Sequence, residues 1–426
     1  MAIMISRAEA LVLDAINDAA LVASLQDLVR TPSVTGEDPE HELQHGAARH
    51  FRNAGLEVDL WQLDLEALRA DPRFPGTEAP RTEGYGVVGI TPGEGTPALV
   101  LQGHVDVVPT GDLDNWPERD AFSAKIVNGL LFGRGACDMK AGAAVNLEVA
   151  RAIQRSGVTL ERRLAIHSVV SEEDGGLGAF ATMLRGHGGD AAVITEPTSG
   201  RIVVANAGAL TFELRVSGRA AHASMRQDGV SAFEAFLPVH TAVRALEAER
   251  NAHPSELFSG NPLPYAIAIG RVRAGDWASS VPDLLVAEGR LGVQLGEEPG
   301  AARVALERSI ADACARDPWL RDHPVDVTWS GGQFAPGSID ADHPLIAQTS
   351  DAVTAVSGLA APRRAAAPYG SDLRLYAGIG GIPTLHYGPG DVRFAHAPLE
   401  QVALKDVLES ARALALLAAR RCGAHE

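Results

Sequence analysis

Carboxylates and imidazoles stand at the ends of short apolar runs at five places in this 426-residue chain. The first is Gly103-His104-Val105-Asp106-Val107-Val108-Pro109, directly after the run Ala98 to Leu101. His104 and Asp106 are two residues apart, so in extended backbone both point the same way and the carboxylate can orient the imidazole from behind. The second is Gly133-Arg134-Gly135-Ala136-Cys137-Asp138-Met139-Lys140-Ala141-Gly142, where glycine-rich backbone delivers Asp138 to the start of a helical pattern. Alone, that aspartate reads as a helix cap. The third, Ser171-Glu172-Glu173-Asp174-Gly175-Gly176, crowds three acids behind the run Leu164 to Val170. Like charges packed there raise one another's pKa unless a cation sits among them. Glu196 follows the run Ala191 to Thr195, and His396, in Phe394-Ala395-His396-Ala397-Pro398-Leu399-Glu400, precedes the last helical pattern.

Each residue has an ordinary structural reading by itself: a hydrogen-bonded histidine, a cap, a solvated acidic loop. Taken together, His104, Asp138, Glu173, Glu196 and His396 are two imidazoles and three carboxylates with no thiolate. That donor set suits zinc or another borderline-to-hard divalent ion in a catalytic site. Three carboxylates contribute −3 and two divalent ions +4, which leaves +1 for one hydroxide to balance. Glu172 is one residue out of phase with Glu173, which is where a general base for an activated water belongs. His167 and His386 lie inside apolar runs and read as core or supporting histidines, and Cys137 reads as packing.

The elements that must position these residues follow from hydrophobic periodicity. Short apolar runs alternate with helical patterns such as Ala141 to Arg155, which predicts an α/β domain with a mostly parallel sheet covered on both faces. Ligands gather outside the carboxyl ends of strands in such sheets. From about Leu210 the order changes to strand, helix, strand, strand, helix, strand, ending near Trp329, the order of a ferredoxin-like βαββαβ sandwich. The chain then returns to sheet material at Ile382 to His386 and closes with a helix from about Leu399 to Arg421. The expected organisation is a discontinuous catalytic domain, 1–208 and 332–426, with an inserted domain at 209–331. Pro72 to Pro80 reads as a surface excursion, and the segment beginning at Met1 as a surface helix.

Composition excludes several classes. Hydrophobic residues make up 46% and charged residues 21%, the balance of a globular protein with a large interior. There are 37 Lys plus Arg against 54 Asp plus Glu, a formal charge of −17 that argues against a nucleic-acid partner. No apolar stretch is long enough for a bilayer span; the most apolar, Ala413 to Ala419, stops at Arg420-Arg421. Three cysteines without paired spacing fit a reducing compartment, so a cytoplasmic location is expected.

The motifs GHVDVVP, GRGACDMK, SEEDGG, TEPT and AHAPLE, in this order, resemble the co-catalytic zinc superfamily of aminoacylase, acetylornithine deacetylase, succinyl-diaminopimelate desuccinylase and carboxypeptidase G. The resemblance runs through nearly the whole chain. It implies that His104, Glu196 and a bridging Asp138 hold one zinc, that His396, Glu173 and the same Asp138 hold the other, and that Asp106 orients His104. It implies Glu172 as general base. Gly218-Arg219-Ala220-Ala221-His222-Ala223-Ser224 resembles the motif whose histidine reaches a neighbouring subunit's site, so His222 would donate to the oxyanion. Arg290 matches the arginine that grips a substrate carboxylate, and Gly370-Ser371-Asp372 resembles a substrate loop, which places Ser371 near substrate. The inserted domain would serve as lid and homodimer interface. Ala278-Ser279-Ser280-Val281-Pro282 departs from the family, which often carries an asparagine before that proline.

The resulting expectation is an enzyme with two Zn2+ per chain, Co2+ or Mn2+ being possible substitutes. It would cleave the amide of a small carboxylate-bearing N-acyl amino acid. The alternatives are a dipeptidase or glutamate-type carboxypeptidase of the same superfamily and, from a different class, a metal-binding or interaction protein that has lost hydrolysis.

Overall fold

The structure is a computed structural model that describes residues 4–426. Two compact units divide the chain, the first comprising Met1–Ala205, Ser338–Ala365 and Asp372–Glu426, the second Asn206–Gly337 and Ala366–Ser371.

The first unit is built on a nine-stranded sheet. Its spatial order begins Glu57–Gln62, Tyr85–Ile90, Leu164–Val169, Leu99–His104, Ala192–Ile194, Thr384–His386, Ile202–Asn206, and two short strands, Gly337–Ser338 and Arg364–Ala367, flank the last of these. The four central strands, from Leu164–Val169 to Thr384–His386, run parallel, while Glu57–Gln62 on Tyr85–Ile90, Tyr85–Ile90 on Leu164–Val169 and Thr384–His386 on Ile202–Asn206 pair antiparallel. The sheet is therefore mixed, with a parallel centre. Every residue of Leu99–His104 and Leu164–Val169 is buried, as strands covered on both faces require.

Helices cover this sheet. Asp18–Arg30, Ala141–Ser156 and Leu404–Arg421 pack on one another, as do Leu177–Leu184 and Leu373–Gly378. The surface helix expected at the start spans Arg7–Asp14, closed by a capping box between Ser6 and Glu9; residues 1–3 of that reading lie outside the described residues. Among the described residues no helix is long and apolar enough to cross a membrane.

Close contact between backbones explains a departure from the sequence reading. Pro72 to Pro80 is not a mere surface excursion: the Glu78 and Ala79 N–H groups donate to Asp174 Oδ2 at 3.1 and 2.9 Å. A Cβ on Gly175 would come within 2.0 Å of the Gly76 carbonyl oxygen. The excursion is thus tied to the acidic turn after Leu164–Val169.

The second unit carries a four-stranded antiparallel sheet in the order Ile267–Ala274, Leu284–Val293, Gly208–Ser217, Asp326–Phe334. Helices Ala232–Arg250 and Pro299–Arg316 pack together over one face, with Phe212, Leu214, Val239, Val243, Leu306 and Ile310 in the core. This is the ferredoxin-like βαββαβ arrangement.

Candidate active site

The ends of three strands of the first unit, Leu99–His104, Leu164–Val169 and Ala192–Ile194, carry residues that converge with Asp138 and His396. His104 closes Leu99–His104 and is fully buried. Its Nδ1 lies 3.0 Å from the main-chain oxygen of Asp106 and 3.5 Å from Asp106 Oδ1. A carbonyl can only accept, so Nδ1 carries a proton. Burial disfavours a charged ring, but the bonds to Asp106 and Asp138 outweigh it and raise His104 well above the ordinary histidine value, so in the absence of a cation Nε2 holds a proton toward the acids as well. That Nε2 is 3.2 Å from Asp138 Oδ1 and 3.7 Å from Glu196 Oε1. The Asp106 carboxylate does more than face His104: it accepts the N–H groups of Glu172 and Glu173, each at 3.2 Å, and the Thr35 hydroxyl at 3.0 Å. One buried carboxylate therefore joins the His104 strand end to the acidic turn.

Asp138 does not cap the following helix. Ala141–Ser156 begins with Lys140 at its cap position and no side chain capping it, and the Asp138 carboxylate turns toward the two histidines. His396 Nε2 lies 3.6 Å from Asp138 Oδ2 and 2.9 Å from Glu173 Oε2. The five residues thus form two groups, His104 with Asp138 and Glu196, and Asp138 with Glu173 and His396, each with its donor atoms within 4.8 Å of one another. Glu172 belongs to neither group, and its Oε2 lies 3.9 Å from His104 Nε2.

Charge in the cluster is unbalanced. Burial pushes Glu172, Glu173 and Glu196 above the usual carboxylate range, and neighbouring acids push them further. Burial acts the same way on Asp138, but the hydrogen bond and charge of His104 outweigh it and hold Asp138 low. The negative charge of Glu173 chiefly raises His396 to about 9. Glutamates driven toward neutrality and imidazoles driven toward the charged form make a set that gains most from divalent cations displacing those protons, and the donor types fit them. Cys137 does not join the set: burial raises its thiol well above the ordinary value, and Sγ donates to the Asp391 carbonyl at 3.3 Å.

Three expected residues lie in the second unit. His222 is exposed, and its Nδ1 accepts the Ser224 N–H at 3.2 Å, which leaves the ring proton on Nε2. Arg290 is half-buried on Leu284–Val293 and donates to the Pro368 carbonyl at 3.1 Å. Ser371 is buried at the end of Ala366–Ser371. His167 and His386 are fully buried, and burial lowers each to about 3, in keeping with core histidines.

The buried roles of several polar residues went unread in the sequence. Gln102 Nε2 donates to Asp372 Oδ2 at 3.0 Å, and Arg374 donates to the Gly175 carbonyl at 2.7 Å, bracing the acidic turn. Lys140 is fully buried and donates to the Thr31 carbonyl at 2.8 Å. Glu400 and Arg134 form a buried ion pair at 2.7 Å. All but Gln102 sit inside or beside the quoted motifs, so the signal available was a charged residue that helical or strand periodicity would have turned inward.

Residues 100–420 match the family described as peptidase family M20/M25/M40. The chain belongs to that family. Among its relatives is an acetylornithine deacetylase of Erwinia tasmaniensis, 30% identical over 318 residues that cover 72% of this chain and 76% of the relative. Another is the N-formyl-4-amino-5-aminomethyl-2-methylpyrimidine deformylase of Bacillus subtilis, 25% identical over 405 residues and 89% of each chain. In fold, the M20/M25/M40 protein described here is similar to human carnosine dipeptidase 1, with a TM-score of 0.77 at 13% identity, covering 98% of this chain and 99% of that one. As a member of the family it is a metal-dependent hydrolase of amide or peptide bonds.

Proposed function

We propose that this M20/M25/M40 hydrolase cleaves the amide bond of a small, carboxylate-bearing N-acyl amino acid, releasing a carboxylate and a free amine. The observation that carries the reading is the sharing of Asp138 between two donor groups with Glu172 beside them. His104, Asp138 and Glu196 would hold one zinc ion and Asp138, Glu173 and His396 the second, with cobalt or manganese as substitutes. When bound, such a pair supplies Lewis acidity, lowering the pKa of a shared water and drawing charge from the scissile carbonyl.

The chain's own residues do the rest. Glu172 takes a proton from the attacking water and passes it to the amine nitrogen as the carbon–nitrogen bond breaks. Its burial supports this, because desolvation raises the carboxyl above the usual carboxylate range and so helps it hold a transferred proton. Asp106 holds the turn bearing Glu172 in register with His104. His222, protonated on Nε2, would donate to the oxyanion from the second subunit of a homodimer formed through the inserted unit. Arg290 would grip the substrate carboxylate, with Ser371 near it. The three free, buried cysteines favour a reducing, cytoplasmic setting.

A dipeptidase or glutamate-type carboxypeptidase reading uses the same machinery. Zinc-supplied enzyme assayed on N-acetyl, N-succinyl and N-formyl amino acids beside simple dipeptides separates them. Preference for an acyl amino acid is expected, and preference for dipeptides overturns the proposal. A protein that binds two ions and hydrolyses none of the panel would overturn the proposed substrate class.

A further inference from the structure

We propose that the buried Arg134–Glu400 pair is the positioning element of the candidate metal centre, an inference that rests on the metal reading above. Neither residue belongs to the donor groups. Glu400 is 1% exposed, and its Oε1 accepts the N–H groups of Cys137 at 2.9 Å and Asp138 at 3.0 Å. Its Oε2 accepts Arg134 Nη1 at 2.7 Å. The same guanidinium points Nη1 at the Ala397 carbonyl, 3.5 Å away, and donates from Nη2 to the Pro109 carbonyl at 3.3 Å, with its carbon 5.4 Å from the centre of the Trp116 ring.

Three ligand-bearing segments are therefore tied to one ion pair. Asp138 is held by its own N–H, His396 through the next residue, and the His104 segment at its far end. The His396 loop needs such a tie, because His396 and Leu399 both sit in left-handed backbone at φ 58° and 63°. Non-glycine residues hold that conformation only where their surroundings over-determine it. Because Asp138 serves both groups, a shift of its backbone is felt at both ion positions. Partners behind the ligands typically tune metal affinity about 10–100-fold when altered.

The test uses full-length protein stripped of metal and titrated with cobalt(II), with the visible spectrum of the bound ion as a reporter of its geometry. Wild type is expected to take two ions per chain. Glu400→Gln keeps an oxygen for the two N–H groups but loses the ion pair; it is expected to bind cobalt about 10–100-fold more weakly and with an altered spectrum. Arg134→Lys keeps the charge and loses the fork, and supplies the same comparison if Glu400→Gln does not fold. Glu297→Gln, which breaks the Arg250–Glu297 pair of the second unit, controls for plain loss of stability: its Tm should fall while its cobalt titration stays that of wild type. Folded Glu400→Gln or Arg134→Lys protein with wild-type cobalt affinity and spectrum overturns the positioning role and leaves the metal centre standing. Wild type that binds no cobalt overturns both.

Discussion

At the scale of single residues, the proposed mechanism separates groups that would hold the metal ions from the one that would move a proton. Glu172 lies beside the donor groups and is kept from them by the register of the turn, so its removal should spare binding and stop chemistry. Glu172→Gln is expected to lower kcat by about 10²–10⁴-fold, with two divalent ions retained by elemental analysis. A variant near the wild-type rate would remove Glu172 from the base role. A second prediction concerns a buried histidine outside the site. His167 Nδ1 bonds the Tyr376 hydroxyl at 2.8 Å while its Nε2 has no partner, and burial lowers the ring to about 3. The unfolded chain protonates this imidazole below about 6.5 and the folded chain resists until about 3. Its contribution to stability is therefore fully present above about 6.5 and is lost as pH falls toward 3, with a slope of up to about 1.4 kcal/mol per pH unit. His167→Gln does not titrate, so urea midpoints of the two proteins at pH 7 and pH 5 should differ, wild type falling further on acidification. Equal falls would show that the ring is not held neutral.

At the scale of elements, the strand ends are fixed by how closely helices approach them. A Cβ on Gly142, in the first turn of Ala141–Ser156, would come within 2.1 Å of the Thr195 carbonyl oxygen. The helix can only lie so near the strand end carrying Glu196 because that side chain is missing. Gly142→Ala is expected to cost about 1–3 kcal/mol of stability by overpacking and to weaken binding of the ion proposed for His104, Asp138 and Glu196, readable by thermal melting and metal titration. Unchanged affinity would mean that the strand end tolerates the shift. This closeness also explains which parts of the fold were legible in the sequence. Leu99–His104 and Leu164–Val169 are buried on both faces, so they read as largely apolar runs, and the candidate donors stood at their ends. Glu57–Gln62 and Tyr85–Ile90 went unread, because the first alternates with charge and the second carries Gly86 and Gly89. Those glycines resemble turn signals, yet they make room for Trp61 and for Phe51 and Leu56, which would meet a Cβ at 2.1 Å and at about 2.8 Å. Arg134 and Glu400 were illegible for a related reason: an isolated charged residue reads as solvated, and only the three-dimensional pairing reveals that burial is compensated.

At the scale of the whole molecule, the proposal makes catalysis depend on two copies of the chain. His222 lies in the second unit, on an exposed segment, with Nε2 free to donate, whereas Glu172 lies in the first. If the imidazole serves the other subunit's site, a chain lacking Glu172 can still lend its His222. Glu172→Gln and His222→Ala homodimers should each be nearly inactive. Mixed under conditions that let subunits exchange, half of the dimers would be hybrids, and each hybrid has one site with both groups intact. Activity should then recover to about a quarter of wild type, as two-fold symmetry dictates. Size-exclusion chromatography of the mixture should give a dimer of the 44.7 kDa chain. A chain that runs as a monomer, or a mixture that stays inactive after exchange is verified by differently tagged subunits, would confine His222 to its own subunit or remove it from catalysis. Recovery would link assembly of the dimer to completion of each site, because each intact site then draws its oxyanion donor from the other copy.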